Sequence, residues 1–307
     1  MELKQLEVFV YVVKLNSFSK AADTIFLSQP TISAHISSLE KELGVQLLIR
    51  STKKVYPTKV GTEFFVHAQN MLALRDQAIH SIREQTADSK GEIMMVASSV
   101  PAQYLLPEMI ANFNKNYPKI LIHVHQSDSE DVEKKLNGCH YDFGIIGTEA
   151  ASSKFMQRPF YQDTLVFVYP GNMHIDRDAV YRDPLAFLKS HPFVMREVGS
   201  GTLKELEKYL MKINGSINDL KSACYFSNTH GVMNAVANGM GISFVSKAAA
   251  ARYVEMGLVH TIEIESNFFH RWFSLLWKKE MILSPLQNLF QSFILKYYNE
   301  TNSENLN

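Results

Sequence analysis

The chain has 307 residues, 31 Lys and Arg balancing 31 Asp and Glu, 46 % hydrophobic residues and only two cysteines. That composition buries ordinary globular cores in two or more domains, and it excludes a disordered chain, a collagen and a disulfide scaffold. Cys139 and Cys224 lie far apart with no neighbouring cysteine to complete a zinc or redox pair, so both read as apolar filler in a reducing compartment.

Lys4, Glu7 and Lys14 interrupt the first twenty residues before any long apolar run forms, so no signal or transit peptide is expected there. No later window approaches a membrane span. The expectation is a cytoplasmic protein with no membrane partner. Zero net charge still conceals a basic stretch: between Ser28 and Lys59, Lys41, Arg50, Lys53, Lys54 and Lys59 face only Glu40 and Glu42.

Leu3, Leu6, Val10 and Val13 recur at spacings of three and four, which predicts an amphipathic helix over 2–14 that ends at Asn16 and Ser17. Ser17 caps a second, shorter helix that turns Ala21, Ala22 and Ile25 inward and stops near Leu27. Ser28 caps a third, with Pro30 in its first turn, where the missing amide hydrogen is harmless. Ile32, Ile36, Leu39 and Leu43 share one side of this helix, and Gly44 stands where a left-handed terminator belongs.

The opposite side carries Pro30, Ser33, Ala34, Ser37, Ser38 and Lys41. A helix built only for solubility would carry several charges there, whereas one entering the DNA major groove needs short polar groups beside the base edges. The short helices, their tight turn and this flank predict a helix-turn-helix. Two extended stretches around Arg50, Lys53 and Lys54 then predict a β-wing whose tip reaches flanking phosphates or the minor groove.

Leu6-Glu7-Val8-Phe9, Ser17 to Ala22, Leu27 to Ser33, Leu39 to Gly44, and then Leu47, Arg50, Thr58 and Gly61 resemble the signature of LysR-type transcriptional regulators, without a gap over the first sixty residues. The resemblance implies that Gln29, Pro30, Ser33, Arg50 and Lys53 touch DNA. Thr31 and Lys54 stand beside them and are placed with them. For His35 two readings stay open, a DNA contact and a half-buried packing role.

From Thr58 to Ala87 the pattern is helical again, with Phe64, Ala68, Met71, Leu72, Arg75, Ile79 and Ile82 along one seam. A rod of roughly 45 Å follows from about 1.5 Å per residue. Such a seam wants a partner helix or a place on its own domain. The family resemblance implies an antiparallel dimer through it, with the two winged domains on successive major grooves, and a homodimer or homotetramer overall.

Asp88 to Gly91 is a polar hinge. Beyond it strands and helices alternate: strands at 93–97, 120–125, 143–146, 165–169, 193–195, 223–227, 242–245, 262–264 and 271–277, and helices at 102–116, 129–137, after Gly201, at 230–237 and at 285–298. Repeated βαβ order predicts parallel sheet covered by helices, in enough strands for two lobes. The expected fold is thus an all-α winged helix-turn-helix domain (1–60) with a long linker helix (58–88), joined to an α/β two-lobed, periplasmic-binding-protein-like effector domain (91–300). Lobe I takes about 91–161 and 268–300, and lobe II about 162–267.

In parallel sheets ligands sit beyond the carboxyl ends of strands. Ser98-Ser99-Val100, Gly147-Thr148, Gly199-Ser200-Gly201-Thr202 and Ser246 occupy such ends, rich in hydroxyls and without a carboxylate, which suggests a pocket for an anion held by OH and NH donors. Each piece alone also reads as a helix cap or tight turn. Arg196 to Thr202 and Ala235 to Ser243 are similar to effector-domain patterns of the same family, which implies that Ser98, Ser99, Thr148 and Thr202 line the cleft between lobes. His230 stands where many relatives carry an acid, and is either a cleft imidazole or a core histidine. The segments 100–107 and 28–36 look closest to members governing sulfur or selenium metabolism, so a small oxyanion or sulfur metabolite is the effector expected.

An α/β enzyme or a solute-binding protein with an added helical domain is the alternative. The sequence offers no Gly-x-Ser-x-Gly elbow, no Gly-x-x-x-x-Gly-Lys loop and no Gly-x-Gly-x-x-Gly after the first strand. His123 and His125 share a strand face but lack a nearby third metal ligand. No enzyme activity, cofactor or metal is expected. The expected partners are double-stranded DNA bearing an interrupted palindrome, an anionic effector and RNA polymerase.

Overall fold

The computed structural model describes residues 1–50, 55–82, 90–138, 140–263 and 269–304. Helix α1 (Leu3–Leu15) ends at Asn16, whose φ of 51° makes a left-handed cap. Its buried side is wider than its periodicity predicts. Val8, Phe9 and Val12 are buried alongside Leu6, Val10 and Val13, while Leu3 is exposed, because the helix is packed against α2 (Phe18–Thr24), α3 (Gln29–Leu43) and α4 (Lys59–Ile82) together.

Ser17 Oγ accepts the Lys20 amide at 3.2 Å and Ser28 Oγ accepts the Thr31 amide at 3.3 Å, so both predicted caps form. Ile32, Ile36 and Leu39 of α3 reach the core, each contributing about 2 kcal/mol by leaving water. Leu43 does not. It is 37 % exposed, because the helix has by then passed the edge of α1's packing surface and stops at Gly44 (φ 68°). Strands β1 (Leu48–Arg50) and β2 (Val55–Pro57) pair antiparallel, and Glu40 Oε1 anchors this wing to α3 by accepting the Leu47 and Leu48 amides at 2.9 and 3.1 Å. Thr58 Oγ1 then accepts the Gly61 amide at the start of α4.

The first half of α4 packs on its own domain through Phe65 and Ala68, with Phe64 and Phe9 rings 5.4 Å apart. Leu74 and Ile79 in its second half are exposed. The described helix has 24 residues, about 36 Å at 1.5 Å per residue, and the remainder of the predicted rod and Asp88 and Ser89 of the hinge fall outside the described residues, as does Cys139.

The second domain opens with β3 (Gly91–Ser98), a π-helical turn (Pro101–Leu105), α5 (Leu106–Asn116), β4 (Ile120–Ser127), α6 (Ser129–Asn137) and β5 (Phe143–Ile146). Then come β6 (Phe155–Pro170), α7 (Arg177–Arg182), α8 (Pro184–Ser190), β7 (Pro192–Arg196), α9 (Gly201–Lys212), β8 (Lys221–Phe226) and α10 (Thr229–Ala237). The chain closes with β9 (Ser243–Ser246), α11 (Lys247–Glu255), β10 (Val259–Ile262), β11 (His270–Lys278) and α12 (Pro285–Glu304).

The sheet is mixed, not parallel throughout. β3 pairs parallel with β4 and β5, and β7 with β8, but β11 runs antiparallel to β5 and β6, and β9 and β10 antiparallel to β6. β6 explains the difference. Its first part pairs with β11 and its last part with β9 and β10, so one 16-residue strand passes from one lobe into the other. Its pleat separates two small cores: Leu165, Phe167 and Tyr169 on one face, Val166 and Val168 on the other. The first lobe's core gathers Ile93, Met95, Phe113, Phe143, Leu275 and Phe290. The last small strand starts at Val259 rather than Ile262, and Ile264 lies outside the described residues.

The two domains touch. Lys14 Nζ lies 3.3 Å from Asp142 Oδ1, His140 Nδ1 lies 2.9 Å from the Lys14 carbonyl, and Asn70 of α4 bonds to the Glu280 carbonyl and the Ile282 amide. No helix among the described residues is long and apolar enough to cross a membrane.

Candidate functional site

Two surfaces carry the predicted residues. On α3, Gln29, Pro30, Ala34 and Ser37 are exposed, and Thr31, Ser33 and His35 half-buried, so the first turn of the helix presents small polar groups to solvent. Ser19 Oγ donates to Gln29 Oε1 at 3.2 Å, which ties the start of α2 to the start of α3 and orients the Gln29 amide. Thr31 Oγ1 lies 2.7 Å from Ser28 Oγ and belongs to the cap. Ser38 is exposed on the predicted flank, and its hydroxyl also accepts Gln5 Nε2 from α1 at 3.1 Å. Lys53, Lys54 and the Arg50 side chain fall outside the described residues.

The second surface is a cleft of about 260 Å³, open to solvent, lined by Ser98, Ser99, Val100, Asp128, Ser129, Arg196, Ser200, Gly201, Thr202, Arg271 and Phe273. Six of the nine predicted effector residues meet there. Ser98, Ser99 and Val100 come from the end of β3, and Ser200, Gly201 and Thr202 from the start of α9, where Ser200 Oγ caps the helix. Thr148 stands at the rim, its methyl 3.3 Å from where a Cβ on Gly201 would lie.

Two predicted residues do not line it. Ser246 is fully buried beneath the cleft and donates to Asp163 Oδ1 at 2.6 Å. His230 fits neither of its readings: it is exposed on α10, with Nε2 3.1 Å from Asn234 Nδ2 and Nδ1 3.2 Å from the Tyr253 hydroxyl. One residue beyond Thr229, a rotation of about 100° around α10, turns the side chain away from the cleft.

The two arginines and the carboxylate were missed. Arg196 gives Nε and Nη2 to Glu197 at 2.7 Å each and Nη1 to Thr229 Oγ1 at 2.8 Å. Arg271 gives Nε to Asp163 Oδ2 at 2.9 Å and Nη1 to Thr202 Oγ1 at 3.2 Å, with its guanidinium 4.8 Å from the Phe273 ring centre. Burial pushes the Asp163 carboxyl up from its ordinary range, and the Arg271 charge and the Ser246 hydroxyl oppose that rise. Burial likewise pushes the Tyr104 phenol, in the turn behind the cleft, up to about 12. Asp128 caps α6 through the Asp131 amide.

Asp128 and Ser129 follow β4, so the strand-end rule that found Ser98 and Thr202 would have found them too. Arg196 sits inside a motif already singled out. Arg271 lies within a strand, and no spacing marks it. Across the cleft, Ser99 Oγ lies 3.2 Å from Thr229 Oγ1, and the Lys204 ammonium 2.7 Å from Glu130 holds that carboxyl below its usual range.

Among the described residues no cluster of three or more His, Cys, Asp or Glu is placed to hold a metal ion. His125 Nδ1 lies 2.6 Å from the Tyr141 hydroxyl and His123 Nε2 3.5 Å from Glu92, so the two imidazoles have separate neighbours.

Residues 3–62 match the model of the bacterial regulatory helix-turn-helix proteins of the lysR family, and residues 86–299 that of the LysR substrate binding domain. The chain is 30 % identical to the HTH-type transcriptional regulator CysL of Bacillus subtilis over 303 residues, covering 95 % of this chain and 98 % of that one. Among solved structures it is similar in fold to a full-length OxyR variant from Pseudomonas aeruginosa (TM-score 0.75, 17 % identity, 97 % of each chain). The same holds for the Synechocystis PCC6803 CcmR regulatory domain in complex with 2-PG (TM-score 0.59, 18 % identity, 68 % of this chain and 98 % of that one). With a helix-turn-helix model at one end, a substrate-binding model over the rest, and a regulator matched along nearly its whole length, the chain belongs to the LysR family of transcriptional regulators.

Proposed function

We propose that this regulator reads specific DNA with the first turn of α3 and is controlled by a small anionic, sulfur-related effector held in the cleft. Family membership removes the enzyme alternative, since the matched families and relatives are regulators. The observation that carries the DNA reading is the exposed, uncharged start of α3, with Gln29 held by Ser19 and Pro30 beside it. Gln29 hydrogen-bonds base edges; Pro30, Thr31, Ser33 and His35 fill the groove beside it; Arg50, Lys53 and Lys54 hold the flanking backbone. Residues 1–60 form the reading head, 58–88 the linker and 91–300 the effector domain.

The exposed Leu74 and Ile79 on α4 support pairing of two chains through this helix, which sets two reading heads on an interrupted palindrome. Closure of the lobes on an effector re-angles the heads, changes DNA bending and thereby RNA polymerase recruitment.

Two measurements test this. Gln29→Ala loses discrimination between a selected operator and random DNA, while Arg50→Ala weakens binding to both and flattens the salt dependence by about one charge. Equal losses on both DNAs for the two variants contradict the division. Thermal-shift screening with sulfate, sulfite, thiosulfate, selenite and small carboxylates identifies the effector class, because a ligand selective for the native state raises the melting temperature. Thr202→Ala abolishes that shift and leaves operator affinity intact. A shift that survives places the effector elsewhere.

A further inference from the structure

We infer that Asp128 makes this cleft select an anion that carries a hydrogen-bond donor, such as a protonated oxyanion or a carboxylate beside an ammonium, and reject sulfate and other acceptor-only anions. The inference rests on the cleft being the effector site and narrows what that site takes.

The directions of the hydrogens decide what the cleft offers. A guanidinium only donates. Arg196 Nη1 donates to the Thr229 oxygen, and the Thr229 hydroxyl lies 3.2 Å from Ser99 Oγ, where either hydroxyl can be the donor. When Thr229 gives its hydrogen to Ser99, the hydroxyl of Ser99, which lines the cleft, has its own hydrogen for a ligand acceptor. Arg271 Nη1 donates to Thr202 Oγ1, and the Thr202 hydroxyl keeps its own hydrogen for an acceptor in the cleft. Both guanidiniums are at least nine-tenths buried, Arg196 at 5 % and Arg271 at 8 % exposure, so the oxygens they hold are positioned by the protein rather than by solvent. They ask for an acceptor on the ligand at two places.

The charges point the other way. Arg196 is matched by Glu197 and Arg271 by Asp163, and each pair is neutral as a unit. Among the described lining residues Asp128 is the remaining charge. Oδ1 is engaged by the Asp131 amide at 2.8 Å, and the carboxylate lies beside the Gly199 turn, with the carboxyl carbon 3.4 Å, Oδ1 3.5 Å and Oδ2 3.7 Å from where a Cβ there would sit. An acceptor in that position repels a bare dianion and takes a proton-bearing group. Two lining hydroxyls able to donate and one lining carboxylate that only accepts together describe a ligand that both accepts and donates.

Sulfate and hydrogen phosphate are matched probes, because they share size and shape, and only phosphate carries a hydroxyl at neutral pH. Each is titrated to about 50 mM at constant ionic strength against the full-length protein, Asp128→Asn and Thr202→Ala, and melting is followed. Both salts stabilise proteins in bulk, so the shift is read relative to Thr202→Ala. Wild type is expected to respond to phosphate at least tenfold more tightly than to sulfate. Asp128→Asn keeps the helix cap, since Asn caps as well as Asp, but offers Nδ2 as a donor, and sulfate is expected to bind it as tightly as phosphate or more tightly.

Equal responses of the wild type to both anions, or an unchanged preference in Asp128→Asn, overturn the inference while leaving the cleft as the anion site. If neither anion gives a shift beyond that of Thr202→Ala, the cleft does not hold an anion and the effector reading falls with the inference.

Discussion

Arg271 and Asp163 form a buried ion pair on neighbouring strands, Nη2 to Oδ2 2.9 Å, with side chains 7 % and 1 % exposed. The pair sits where β6 passes between the lobes, and the same guanidinium reaches Thr202 in the cleft, so the cleft and the strand crossing share one cation. Removing one partner of such a pair leaves an uncompensated charge and typically costs about 3–5 kcal/mol.

Arg271→Met is expected to lose about that much, and to lose more as pH rises. Burial already holds the Asp163 carboxyl up, and without the opposing arginine it rises further. A folded-state pKa above the unfolded one, about 3.9, means that the native state binds the extra proton. The contribution is therefore fully present below about pH 4 and fades as pH climbs through the raised value. Urea melts near pH 5 and pH 8 check the sign: the deficit relative to wild type grows toward the higher pH, and Asp163→Asn in the same background removes that growth. A deficit independent of pH means Asp163 is not the titrating partner.

How much of this was legible depended on whether a feature is local. The caps at Ser17 and Ser28 and the Gly44 stop involve groups within a few residues, and the sequence pattern located them. So did the strand-end rule for Ser98 to Val100 and Ser200 to Thr202. The course of β6 was not legible, because its 155–164 half looks like a loop until β11, more than a hundred residues later, pairs with it. Arg271 was missed for the same reason: its meaning comes from Asp163 and Thr202, both distant in sequence. His230 shows the converse: it is the second residue of α10, and the rotation of about 100° from the buried Thr229 turns its side chain to solvent.

Gly61 is the tightest point between wing and linker. A Cβ there would lie 2.0 Å from the Leu47 carbonyl oxygen, which also accepts the Thr58 amide at 2.9 Å. Backbone cannot yield as a flexible side chain does, so Gly61→Ala is expected to cost more than about 2 kcal/mol and to displace β1 and β2 from α4. Operator binding should fall at least tenfold, while anion-dependent stabilisation of the effector domain persists. Wild-type DNA affinity in this variant means the wing does not depend on that contact.

Lys14 joins the two domains through Asp142, which is 3 % exposed and keeps the Met94 amide and Gln287 Nε2 when the lysine is gone. Lys14→Met is therefore expected to change stability by less than about 1 kcal/mol. Hydrogen exchange should quicken at residues 14–17 and 140–142 as docking loosens, and effector should alter operator affinity less than in wild type. Unchanged protection at both segments means that the ion pair does not hold the domains together.

Gly201 begins α9 against the opposite wall of the cleft, where an added Cβ would lie 3.1 Å from Ser129 Oγ and 3.3 Å from Thr148 Cγ2. Those neighbours are side chains that can give by a few tenths of an ångström, and alanine lowers the entropy of the unfolded chain, so Gly201→Ala should fold within about 1 kcal/mol of wild type. The methyl takes cleft space between the Ser129 hydroxyl and the Thr148 methyl, which a ligand there would otherwise use. Thermal unfolding with and without the anion separates the two effects: a near-native melting temperature in buffer, and a stabilisation by anion at least fivefold weaker in concentration. A full anion response would mean that the bound group stays clear of the gap between α6 and α9, and the donors at Ser99 would then carry recognition without those of α9.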